Sequence, residues 1–144
     1  MASVHKTVLL WYSPQQMYRL VQDVASYPTF LPWCGGVDVH EARDDCMRAT
    51  LHIDFKGVRQ SFTTRNDQVP DREIRMQLVE GPFSALQGLW TFTPLQDGSA
   101  CRVDFTLEYH FSSRVVEAVI GPVFGHIAKT FVEAFVQRAQ AVYG

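Results

Sequence analysis

Cysteine is scarce and scattered in this chain: Cys34, Cys46 and Cys101 are odd in number and far apart, with no Cys-x-x-Cys pair and no histidine at ligand spacing. That pattern excludes a disulfide framework and a zinc cluster, and ordinary reduced thiols in a reducing compartment are expected. Long apolar runs are also missing; none approaches the roughly 20 residues of a membrane span. The start, MASVHKTVLLW, has neither a basic leader nor an apolar segment with a small-residue cleavage site, so no secretory signal is expected. A cytoplasmic chain is the expectation. Basic blocks are lacking as well: 13 Lys and Arg stand against 15 Asp and Glu, a net charge of -2. No phosphate-tracking surface is advertised, and no DNA partner is expected. There is no repeat, linker or Gly-rich phosphate loop. Residues 1–144 therefore read as one domain with one core, long enough to bury roughly 70% of its unfolded surface.

What is present is periodicity. From Cys101 to Phe111 the odd positions are Cys101, Val103, Phe105, Leu107, Tyr109 and Phe111, and the even ones are Arg102, Asp104, Thr106, Glu108 and His110. This is a half-buried strand. After Ser112-Ser113, an apolar stripe at spacings of three and four runs through Val116, Ile120, Phe124, Ile127, Phe131, Phe135, Ala139 and Val142, the mark of a long helix with one greasy face. Gly121-Pro122 interrupts it, so the helix either starts near Pro122 after a shorter helical segment or kinks there. The stretch Val115–Gly125, apolar apart from Glu117, reads either as a bend that wraps the sheet or as a gate or membrane-touching surface.

Upstream, Val4–Trp11 suggests an opening strand. Ser13-Pro14-Gln15-Gln16 then offers a capping serine, a proline at the first helical position and a glutamine three after the cap, with Met17, Leu20, Val21 and Val24 as the buried side. Two prolines in Ser26–Gly36 leave room for at most one helical turn. From Val37 to Phe111 period-two runs separated by turn signals read as an antiparallel meander. Met47, Ala49, Leu51, Ile53 and Phe55 alternate with polar residues, Gly57 marks a tight turn, and Val58, Phe62 and Thr64 return. Ile74, Met76 and Leu78 supply the next apolar face, Gly81-Pro82 breaks it, and Trp90 and Phe92 share a parity. The fold class is α+β: a curved antiparallel sheet of about six or seven strands, a short helical hairpin after the first strand, and a long C-terminal helix on one side of the sheet.

Three segments carry a resemblance: Tyr27-Pro-x-Phe-Leu-Pro-Trp-Cys34, Gly81-Pro82-Phe83-x-x-Leu86-x-Gly88-x-Trp90-x-Phe92, and Ala134-Phe135-x-x-Arg138-Ala139-x-x-Val142-Tyr143-Gly144. Together, in this order over nearly the whole chain, they resemble the coenzyme Q-binding family of START-like, polyketide cyclase-like proteins, which also takes in ribosome association toxins and proteins labelled oligoketide cyclases. The resemblance implies a helix-grip fold with a hydrophobic tunnel between sheet and helix, and a polyprenyl quinone, ubiquinone-like, as ligand in respiration or quinone biosynthesis. Its alternatives are a toxin that binds the large ribosomal subunit and blocks subunit association, and a cyclase-like enzyme.

For an isoprenoid ligand each methylene withdrawn from water is worth about 0.8 kcal/mol, so an apolar pocket with few polar groups suffices. The expected ligand-binding set on the sheet is Leu51, Ile53, Phe55, Phe62, Met76, Leu86, Trp90, Phe92, Phe105, Leu107 and Tyr109. Phe124, Ile127 and Phe131 would close it from the helix, and Phe30, Trp33 and Phe83 would line the mouth. Core packing is the plain alternative for each. Trp33 is a candidate interface anchor for peripheral contact with the inner face of a membrane. No catalytic residue, metal or required cofactor is expected: His52 and His110 fall on outward parities, His5 and His40 sit near strands, His126 lies beside the helical stripe, and Asp44-Asp45 sit in a turn. Arg43, Arg48, Lys56, Arg59, Arg65, Arg72 and Arg75 could form the basic patch a ribosome-directed protein would need.

Overall fold

The computed structural model describes residues 2–144. Strand β1 (Ala2–Leu10) leads to helix α1 (Pro14–Gln22), one 3-10 turn at Val24–Ser26 and the single-turn helix α2 (Tyr27–Phe30). Six strands follow: β2 (Cys34–Ala42), β3 (Cys46–Phe55), β4 (Val58–Val69), β5 (Glu73–Glu80), β6 (Phe83–Leu95) and β7 (Ala100–Phe111). Helix α3 (Arg114–Tyr143) ends the chain. The strands form one seven-stranded sheet in the order β1-β7-β6-β5-β4-β3-β2, antiparallel throughout.

Local chemistry explains the boundaries. At α1 the Ser13 hydroxyl accepts from the Gln16 amide at 3.1 Å while the Ser13 amide donates to Gln16 Oε1 at 2.8 Å, which satisfies two donors the helix cannot. Pro14 occupies the first turn, where a missing N–H costs nothing. Lys56 and Gly57 both have positive φ, which suits the two-residue hairpin that joins Phe55 to its partner Val58. At Gly81 a Cβ would stand 2.7 Å from Phe62 Cβ, so the β5–β6 turn can sit this close only without a side chain.

Register shifts at Cys34/Gly36, Val39/Glu41, Thr63/Thr64 and Phe83/Ala85 bend the sheet. The concave face holds the core. Every odd position from Cys101 to Phe111 is buried there, as the alternation requires. From α3 the buried stripe is Ile120, Phe124, Ile127, Ala128, Phe131, Val132, Phe135 and Ala139. Val142, expected on that stripe, is 47% exposed, because four residues after Ala139 it is Tyr143 that turns inward, packing on Tyr12 and donating its hydroxyl to the Gln16 carbonyl.

The choice left open at Gly121-Pro122 resolves to a continuous helix with Pro122 inside it, started by Ser113 Oγ accepting from the Val116 amide. By length and composition α3 is apolar enough to cross a membrane, contrary to the reading that no segment is. In this fold its greasy face is spent on the sheet, while Val115 and Val119 stay exposed.

Candidate functional site: an apolar cavity under the gripped helix

Between the sheet and α3 lies a cavity of about 50 Å³. Its floor is Leu51 on β3, Phe62 on β4, Ile74 and Met76 on β5, Leu86 and Trp90 on β6, and Phe105 and Leu107 on β7. Its roof is Phe124, Ile127, Ala128 and Phe131 of α3, and Val21, Val24, Tyr27 and Trp33 close one end. Aromatic edges set the shape: the Trp90 ring lies 4.5 Å from Phe105 and 5.7 Å from Phe131, and Trp33 sits 6.2 Å from Phe131.

Of the residues expected to bind ligand, Trp33, Leu51, Phe62, Met76, Leu86, Trp90, Phe105, Leu107, Phe124, Ile127 and Phe131 line this cavity. Phe83, Phe92 and Tyr109 are buried but stand beside it. Phe83 and Tyr109 each lie 4.8 Å from Phe124 and plug one end, and Phe92 packs on Tyr18 at 5.7 Å. Ile53 is core. Phe30 and Phe55 lie on the outside, in a groove along the far side of α3. Alternation placed Phe55 inward, but it is the last residue of β3, where the hairpin carries it beyond the roof.

Trp33 is 4% exposed and faces the cavity, which corrects its assignment as a membrane anchor. The tryptophan that stands out from the surface is Trp11, at 80%.

Polar groups reach the cavity from one strand. Thr64 and Asn66 line it, joined by a 3.2 Å hydrogen bond from Thr64 Oγ1 to Asn66 Oδ1. Gln68, two residues on, is buried and donates to the Tyr18 hydroxyl at 3.2 Å, with its own Oε1 unpartnered. These positions follow Phe62 on the inward parity of β4, a signal readable as one apolar strand turning polar halfway. Tyr27, also missed, donates its hydroxyl to the Val21 carbonyl and ties α2 to α1. Burial pushes that hydroxyl up, well above the usual tyrosine range.

Among the described residues no histidine, cysteine or carboxylate lines the cavity. The histidines are on the outer surface: His52 contacts Ser61 and Asp38, His110 meets Ser84, His40 meets Thr50, His5 lies 4.0 Å from Asp104, and His126 stacks on Phe55. Among the described residues no group of His, Cys, Asp and Glu is arranged to hold a metal ion. The cysteines are free and buried, and desolvation pushes the Cys101 thiol up to about 11.

Outside, the sheet arginines are largely neutralised. Arg43 pairs with Glu41 at 2.8 Å, Arg59 with Asp54 at 3.6 Å, Arg65 with Asp67 at 3.1 Å and Arg75 with Glu73 at 3.7 Å. The expected seven-residue basic patch is therefore interleaved with carboxylates.

A curved seven-stranded antiparallel sheet gripping a C-terminal helix over an apolar cavity defines a START-like, helix-grip protein. The chain belongs to the polyketide cyclase / dehydrase and lipid transport family, whose model matches residues 10–136. A START superfamily protein from Mycobacterium smegmatis superposes with a TM-score of 0.75 at 19% identity, over 97% of this chain and 98% of that one. The ribosome association toxin RatA of Vibrio cholerae is 43% identical over 144 residues, which is 100% of this chain and 99% of that protein. The mitochondrial coenzyme Q-binding protein COQ10 homolog B of Xenopus laevis is 30% identical over 139 residues, covering 94% of this chain and 57% of that one.

Proposed function

We propose that this chain is a cytoplasmic, ribosome-directed protein of the RatA type, which binds the large ribosomal subunit and hinders subunit association. The observation that carries the reading is the 43% identity to RatA along 100% of this chain and 99% of that protein, against 30% and 57% for the coenzyme Q-binding relative. Binding, not catalysis, is the mode. The cavity's polar groups are a threonine, an asparagine and a tyrosine whose hydroxyl is already engaged on Val21. The test is a sucrose gradient of purified ribosomes with added protein: co-migration with the large subunit and a rise in free subunits are expected, and an unchanged profile would count against the reading.

A second reading, carriage of a polyprenyl quinone, draws on the almost wholly apolar cavity and on the coenzyme Q-binding relative. Size argues against it in this conformation. A cavity of about 50 Å³ is about a third of the roughly 150 Å³ that accepts benzene in a protein core. A quinone ring and tail would need α3 or Met76 to move. Prenylated lipid in a solvent extract of protein purified from its own host would support this reading, and its absence at every expression level would tell against it.

A further inference from the structure

A groove of about 480 Å³ runs along the outer side of α3, between that helix, α2 and the β3–β4 hairpin. We propose that it is a binding site for single-stranded RNA, which would make it the contact through which the chain meets the ribosome. The inference rests on the ribosome-directed reading above and adds to it the place and the chemistry.

Two aromatic faces form the groove, and each carries a cation. The Arg138 guanidinium lies 5.1 Å from the centroid of Phe30. His126 stacks on Phe55 with ring centroids 5.9 Å apart and planes 11° from parallel, and Lys56 Nζ stands 5.3 Å over the same ring. Lys129 lines the wall between them, and Glu133 is the one acidic residue there. Lys56, Lys129 and Arg138 enter no ion pair among the described residues, in contrast to Arg43, Arg59, Arg65, Arg75 and Arg102. Three unpaired cations, Lys56 from the β3–β4 hairpin and Lys129 and Arg138 from α3, thus meet at this groove in a chain whose net charge is -2.

Phe30 and Phe55 are half-buried, and the Arg138 guanidinium over the one and the exposed His126 ring stacked on the other extend these platforms toward solvent. That combination, ring platforms between cations, is what a base and its flanking phosphates require. A guanidinium stacked on a ring keeps in-plane N–H donors for phosphate oxygens. An acidic peptide would use the cations and leave the stacked rings idle, and a membrane would seek a flat apolar patch. The charge and the rings together favour RNA.

The experiment pairs fluorescence anisotropy on a labelled oligouridine of about 12 nucleotides with sedimentation on purified large ribosomal subunits. Wild-type protein is expected to bind both, and three phosphate contacts predict an affinity for the oligomer that falls roughly twentyfold between 50 and 200 mM salt. Lys56→Glu combined with Lys129→Glu should lose most of that salt dependence and at least tenfold in affinity. Phe55→Ala should cost about tenfold at every salt concentration. A circular dichroism melt on each variant confirms that it folds, and His126→Ala, on an exposed ring, supplies a milder second variant. Subunit binding that survives all of these, or that is lost in them while the wild type never binds the oligomer, overturns the proposal; the latter result makes the groove a protein-docking surface. Wild-type protein that binds no subunits overturns the ribosome-directed reading, and oligomer binding judges the groove separately.

Discussion

Gln68 and Tyr18 meet across the core: the Gln68 amide donates to the Tyr18 hydroxyl at 3.2 Å, both side chains are buried, and Gln68 Oε1 has no partner. A buried hydrogen bond of this kind contributes about 1 kcal/mol, and a buried group left unpaired costs about 1–3 kcal/mol. Gln68→Met alone, which orphans the Tyr18 hydroxyl, is expected to lower stability by about 1–2 kcal/mol. Combined with Tyr18→Phe it should cost less than the two single changes added together. Urea denaturation of the four proteins in a double-mutant cycle measures the coupling, and strict additivity would remove the bond from the account.

Trp33 should act as core and not as an anchor. With 4% of its surface exposed against Phe131, Trp33→Ala is expected to destabilise by about 3–5 kcal/mol. Vesicle co-sedimentation of the folded variant should match that of the wild type. A near-neutral effect on stability would contradict its placement in the cavity wall.

Pro122 sits inside α3 on an exposed position and removes one backbone donor. Pro122→Ala restores the hydrogen bond to the carbonyl four residues back and should raise stability by on the order of 1–3 kcal/mol. Thermal melts check this. No gain would mean that the proline's fixed backbone conformation offsets the missing hydrogen bond at this place in α3.

The thiols give a pH dependence of definite sign. Cys101, fully buried, holds its proton up to about 11 against an ordinary value of 9.0. The unfolded chain ionises first, so the stability tied to this proton is fully present below about pH 9 and is lost as pH rises toward 11. Burial raises Tyr18 and Tyr109 as well, and they add to the loss in the same direction. Iodoacetamide at pH 8 should leave Cys101 unmodified in the folded protein and label it in urea. Ready labelling of the native state would contradict its burial.

Much of this architecture was legible because it rests on period. The parity of Cys101–Phe111 and the stripe Ile120–Ala139 are each dictated by burial of one face, and the capping box at Ser13 is a local hydrogen-bond pattern. What escaped was positional. Phe30 and Phe55 are as apolar as Phe62 and Phe105, and only the path of α2 and the end of β3 place them outside. Trp33 follows Pro32, which is exposed, yet the turn after α2 swings it inward. The charge balance of the sheet was hidden for a related reason: Arg65 meets Asp67 and Arg75 meets Glu73, partners two residues apart on one strand face, and Arg43, just past the end of β2, meets Glu41. The size of the cavity depends on side-chain volumes from five strands and three helices together, and no single segment reports it.

The most direct test is sedimentation of purified ribosomal subunits, mixed under associating conditions with a several-fold excess of this protein. The account predicts that the protein travels with the large subunit and that the peak of joined ribosomes shrinks in favour of free subunits. Protein left at the top of the gradient, with the joined peak unchanged, would contradict it.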